Sequence, residues 1–119
     1  MLAAAAATDL AGRTITFRVG TVEGEVEVAF AGPDEVPCAV RVQLEIPHGS
    51  PLRAMLTAWA DAVSIGLAAG IPLAAYLSTI ERVAFEPEGT LRVDGAVDPE
   101  QHHARSVLDA VAAVLRRFA

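Results

Sequence analysis

"TITFRVGTVEGEVEVAFAGPDEVPCAVRVQLEI", residues 14–46, is the stretch on which the fold turns. Ile15, Phe17 and Val19 interleave with Thr14, Thr16 and Arg18. Val26, Val28 and Phe30 interleave with Glu25, Glu27 and Ala29, and Val40, Val42, Leu44 and Ile46 with Arg41, Gln43 and Glu45. Successive side chains of a strand point to opposite faces, so the pattern predicts three strands at 14–19, 25–30 and 40–46, each dry on one face and wet on the other. Gly20 and Gly24 bracket the first connection, and "AGPDEVP" (31–37) supplies the second with Gly, Pro and Asp. Connections this short give an antiparallel meander. Its outer face sets Arg18 and Arg41 among Glu23, Glu25, Glu27 and Glu45, which predicts cross-strand ion pairs of about 0.2–1 kcal/mol each.

Downstream the period changes. "HGSPLRAML" (48–56) offers Ser50 as N-cap and Pro51 at the first helical position, where a missing N–H costs nothing. Leu52, Met55, Leu56, Trp59, Val63 and Leu67 then recur at helical spacing, with Trp59 as the large core anchor. Gly70 stops this helix, and Pro72 restarts a second one through Leu73, Tyr76, Leu77 and Ile80. "VAFEPEGTLRVDGAV" (83–97) reads as a small hairpin or a loop with extended arms. The last helix is expected to open on Asp98 as N-cap, with Pro99 at N1 and Gln101 at N3, a capping-box spacing. Strands first and helices after predict an α+β fold, a three-stranded meander and a short hairpin packed on one side by about three helices. A flexible leader is expected over 1–12 and one domain over 13–119.

Composition bounds the function. With 119 residues, 53% hydrophobic but only 5% aromatic, the core must be aliphatic. A net charge of −6 and the absence of Lys argue against nucleic-acid binding, which needs clustered cations. No run of 18 apolar residues suggests a membrane span. "MLAAAAATDLAG" lacks the basic segment of a signal peptide, so the expected location is the cytoplasm. The single Cys38 allows no internal disulfide and no Cys-x-x-Cys site.

The candidate chemistry is thin. Gly49-Ser50 at a helix start could hold an anion, but Arg53 is its lone neighbouring cation and ordinary capping is the simpler reading. His102 and His103 are adjacent and diverge by about 100° on a helix, and His48 and Cys38 lie elsewhere, so no metal and no cofactor are expected. Asp61 with Ser64, and Ser106 with Asp109, have the spacing of solvated helix faces. Glu86 precedes Pro87, which favours an extended conformation, and Gly89 can supply positive φ. Glu86 is therefore read as holding a bend, with Phe85 plugging the core; the alternative is a catalytic carboxylate.

Three pieces of sequence carry a family resemblance. "GSPLRAMLTAWADAVSIGLAAGIPLAAYL", "FEPEG" and "SVLDAVAAVLRRF" occur in the order of the long helix with its Gly-x-Pro-Leu break, the Phe-Glu-Pro-x-Gly corner and the Ser-x-Leu-Asp helix of one family. The run from about 12 to 118 resembles the C-terminal domain of adenosylcobalamin-dependent ribonucleotide reductases, known as the TSCPD domain. The departures are Ala84, where the family has Arg, and Ala110, Ala112 and Ala113, where it has bulk. In that family ribonucleotide reduction needs a thiyl radical and a dithiol pair, and one Cys cannot supply both.

The resemblance implies a stand-alone, non-catalytic homologue, a protein-interaction or assembly module that either self-associates or docks on a ribonucleotide-reductase-like protein. Its expected contact surfaces are the outer meander face, the edge strands and the alanines of the last helix. The alternative is a small ligand-binding protein or enzyme with a sheet–helix pocket near Ser50, Arg53, Glu86 and Asp109, signalled by carboxylates not satisfied by their own chain.

Overall fold

The computed structural model describes residues 11–46 and 50–119. Three strands, β1 (Ala11–Val19), β2 (Val22–Ala31) and β3 (Val36–Leu44), form the predicted antiparallel meander. Helices α1 (Pro51–Ala68) and α2 (Leu73–Leu77) follow, then the short strands β4 (Gly89–Val93), β5 (Ala96–Val97) and β6 (His103–Ala104), and finally helix α3 (Val107–Arg116). The sheet order is β3-β2-β1-β4-β5, with β6 paired to β4 at its other end. This is the expected α+β arrangement. The leader lies outside the described residues except for Ala11 and Gly12, which belong to β1.

The alternation read from the sequence sets the layers. Ile15, Phe17, Val19, Val26, Val28, Phe30, Val40, Val42 and Leu44 are all buried on the face that the helices cover. The first turn is tighter than the glycine spacing suggests: Val19 pairs with Val22, so the turn is Gly20–Thr21 and Gly24 lies inside β2. Gly24 sits opposite Phe17, and a Cβ there would come within 2.8 Å of both the Phe17 ring and the Gln43 carbonyl. The outer face carries the predicted ion pairs Arg18–Glu23 (3.7 Å) and Arg41–Glu27 (3.8 Å). Both are solvated, so each contributes less than about 1 kcal/mol.

The hairpin is formed by β4 and β5, with Asp94 and Gly95 both at positive φ, the geometry that the Asp-Gly dipeptide favours in a two-residue turn. It joins the meander because β4 pairs with β1 (Phe17 opposite Val93, Val19 opposite Leu91). Asp94 Oδ1 also accepts hydrogen bonds from the Thr16 amide (3.1 Å) and hydroxyl (3.3 Å).

Two helix boundaries differ from expectation. The second helix is a single short turn, ending at Leu77 rather than running through Ile80. The last helix begins at Val107, not at Pro99. Asp98 does make the bond expected of an N-cap, its Oδ2 accepting the Gln101 N–H at 3.1 Å. The helix does not propagate, because the next residues are drawn onto β4: the Leu91 N–H donates to His102 O (2.8 Å) and Ala104 pairs with Gly89. A capping-box pattern closes an isolated turn equally well when the following backbone groups find strand partners.

The edge of β3 is capped by α1 at one point, Val40. Ser64 Oγ accepts from the Val40 N–H (2.9 Å) and donates to the Val40 carbonyl (3.0 Å). Ser64 is thus no solvated helix-face residue but occupies backbone groups that would otherwise recruit a foreign strand. We expect Ser64→Ala to lower stability by about 1 kcal/mol in chemical denaturation and to raise the light-scattering growth rate on warming; unchanged values in both would refute this role.

Candidate functional site

The polar groups withdrawn from water gather where the connector 80–106 meets α3. Asp98, Ser106 and Asp109 are the buried polar or charged residues among those described. Ser106 takes an extended backbone as N-cap of α3, and its hydroxyl accepts the Asp109 N–H (3.1 Å) while donating to the Val83 carbonyl. Asp109 stands at the third position of the helix. Its Oδ1 accepts the Arg82 N–H (2.9 Å), and its Oδ2 accepts the Arg105 N–H (2.9 Å) and the Gln101 side-chain amide (3.0 Å). Arg82 is held at φ 63°, a conformation that costs a non-glycine residue about 1–2 kcal/mol. One carboxylate therefore fastens three segments, at the helix end where the macrodipole favours negative charge. Asp98, 2% exposed, pairs with the half-exposed Arg117 at the far end of α3.

This overturns the reading of Ser106 and Asp109 as a wet helix face. The Ser-x-x-Asp spacing is that of an N-cap and its third helical residue, a signal open to sequence reasoning. The roles of Arg82, Gln101 and Arg117 had no such signal, since they depend on where the connector folds back.

The other candidates are scattered. Ser50 precedes α1 in extended conformation but makes no side-chain cap hydrogen bond; its carbonyl accepts from the Ala54 N–H at 3.2 Å. Gly49 and His48 lie outside the described residues. Arg53 Nη1 donates to the Ile46 carbonyl (3.3 Å) and lines an open concavity of about 820 Å³ with Arg18, Arg92, Glu23, Glu25 and Glu45. Glu86 is exposed and joined to Pro87 by a cis peptide bond, and among the described residues its carboxylate makes no hydrogen bond or ion pair. Pro87 packs beside Gly20, and Gly89, at φ 157°, opens β4. Phe85 is only half-buried, so it does not plug the core; its N–H donates to Arg105 O (3.1 Å). The bend is held by backbone contacts rather than by the Glu86 side chain.

Of Ser50, Arg53, Glu86 and Asp109, Arg53 lines this concavity and the other three do not. The Asp109 carboxylate is hydrogen-bonded by Arg82, Arg105 and Gln101 of its own chain, which counts against its use as a pocket carboxylate. Ala110 and Ala112 are fully buried, so they pack the protein's own core and are no contact surface. The Cys38 thiol is raised above its ordinary pKa by burial, which lowers its thiolate fraction at neutral pH. Among the described residues no group of three or more His, Cys, Asp or Glu side chains is placed to hold a metal ion, and no helix is long and apolar enough to cross a membrane.

Comparison with known proteins agrees with the resemblance in the motifs. The chain is 35% identical over 100 residues to the vitamin B12-dependent ribonucleotide reductases of Streptantibioticus cattleyicolor and Streptomyces coelicolor, a match covering 84% of this chain but only 16% and 10% of those proteins. The enzyme of the same name from Agrobacterium fabrum is 36% identical over 64 residues, 54% of this chain and 5% of that protein. The chain thus corresponds to a small part of these relatives. No solved structure matches it. The TSCPD domain family matches residues 4–119, almost the whole sequence and all of the architecture just described, and the chain belongs to that family.

Proposed function

We propose that this protein is a non-catalytic homologue of the TSCPD domain of ribonucleotide reductases, a cytoplasmic interaction or assembly module linked to ribonucleotide reduction. One observation carries this reading: the polar side chains of the Ser-Val-Leu-Asp motif are hydrogen-bonded within the protein, by its own backbone and by the Gln101 side-chain amide. They are architecture, which leaves the surface as the working part. The link to ribonucleotide reduction comes from the relatives, which are vitamin B12-dependent ribonucleotide reductases.

The test has two arms. The purified chain, given a ribonucleotide, adenosylcobalamin and a dithiol, is expected to form no deoxyribonucleotide. Titrated into a vitamin B12-dependent ribonucleotide reductase, or concentrated alone, it is expected to form a complex detectable by light scattering. Turnover by the chain alone would overturn the non-catalytic reading, and inertness in both binding experiments would overturn the module.

A further inference from the structure

The two faces of this molecule differ sharply in charge. The chain has 15 acidic and 9 basic residues, yet between Ala54 and Ile80 it carries a single formal charge, Asp61. That segment is the outer surface of α1, α2 and their connection, and sixteen of its residues are exposed. Three of the large hydrophobic residues most open to solvent lie on it: Met55 at 63%, Ile65 at 74% and Ile71 at 44%. Exposed apolar surface of this extent, on a protein otherwise dense in charge, marks an association site.

The pattern along α1 says what covers it. The helix is about 27 Å long, and four of its exposed residues form two pairs about the level of Ala60, which is itself buried. Ala58 and Ala62 lie two residues to either side, Met55 and Ile65 five, all on the face opposite Ala60. A two-fold axis at that level, on this opposite face, would set α1 antiparallel to the α1 of a second copy. Ala58 would then meet Ala62 at the crossing, where small side chains permit close approach, and Met55 would pack on Ile65 at both flanks. Such a surface is complementary to itself, as a two-fold interface requires, and a strip with Asp61 as its single charge gives a strongly charged partner little to pair with.

We infer that α1 is the self-association face of this protein, occupied by a second copy in antiparallel, two-fold register. The inference rests on reading the chain as an interaction module and names the partner. Its extent fixes the strength: of the sixteen exposed residues in this segment only eight lie on α1, well short of the roughly 20–30 a side of a standard interface, so the dimer is weak and concentration-dependent.

Light scattering across a concentration series is expected to show reversible dimerisation, weakened more than about tenfold by Ile65→Arg. Ile65 is solvent-exposed, so the thermal midpoint of that variant should match wild type and exclude a folding defect. Orientation is read by cross-linking in a Cys38→Ser background: Ala58→Cys mixed with Ala62→Cys should give disulfide-linked dimer under oxidation, and either variant alone much less. A wild type monomeric at every concentration, a dimer indifferent to Ile65→Arg, or equal cross-linking by the single variants would each overturn the inference. If a monomeric wild type binds a vitamin B12-dependent ribonucleotide reductase and Ile65→Arg abolishes that binding, the face belongs to the reductase: self-association is refuted while the module reading stands.

Discussion

Asp109→Ala is expected to lower stability by about 3 kcal/mol and the thermal midpoint by roughly 10–15 °C. The substitution strands two backbone N–H groups, of Arg82 and Arg105, and the Gln101 side-chain amide. Each buried donor left without a partner costs about 1–3 kcal/mol, less where water can follow. It also releases Arg82 from a left-handed conformation that only the surrounding bonds sustain. Against a total stability of about 5–15 kcal/mol, this removes a large share. Asp109→Asn keeps one carbonyl acceptor and should fall between. Calorimetry of the three proteins decides the matter, and a midpoint for Asp109→Ala within about 1 °C of wild type would mean that the carboxylate does not fasten the connector.

The second large effect concerns Gly66, in the last turns of α1. Replacing a helical glycine by alanine ordinarily gains about 1 kcal/mol of helix propensity. Here the opposite sign is expected. A Cβ at position 66 would overlap the Tyr76 hydroxyl and lie 2.5 Å from the ring carbon bearing it. Overpacking of that kind costs about 1–3 kcal/mol, and swinging Tyr76 away also loosens α2 from α1. Crowding should therefore outweigh propensity, for a net loss of up to about 2 kcal/mol in urea denaturation. Tyr76→Phe removes the overlapping atom, so it should restore part of that loss in the Gly66→Ala background while costing little alone. A stabilised Gly66→Ala protein would show that Tyr76 moves aside freely.

Much of this fold was legible in the chain because its signals are local. The alternation in 14–46 defines the buried face of the meander, since the side-chain period of a strand leaves no other assignment of Phe17, Val28 and Val42. Pro51 marks the first turn of α1, and Asp94-Gly95 supports the hairpin. What misled was a local signal whose continuation is decided from afar. Asp98 caps a turn as its spacing suggests, but strand pairing with β4 takes the residues after it. Ser106 and Asp109 look solvated on a helical wheel and are buried because the connector 80–83 folds across them. The alanines at 110 and 112 invite a partner only until the sheet beneath α3 is seen. At Glu86 the chain does turn a corner, but the side chain contributes no bond to it, so the reading of Glu86 as the residue that holds the bend is corrected.

The order of the sheet has a bearing on how this protein is made. The three meander strands leave the ribosome first, but Val93 must return to lie beside Phe17, and α3 must arrive to cover β1 and β2. At roughly 5–20 residues per second of synthesis, a greasy, half-finished ribbon waits several seconds for its lid. The nascent chain is then most exposed to mispairing and to capture by chaperones, and completion of the body is set by the emergence of its last helix.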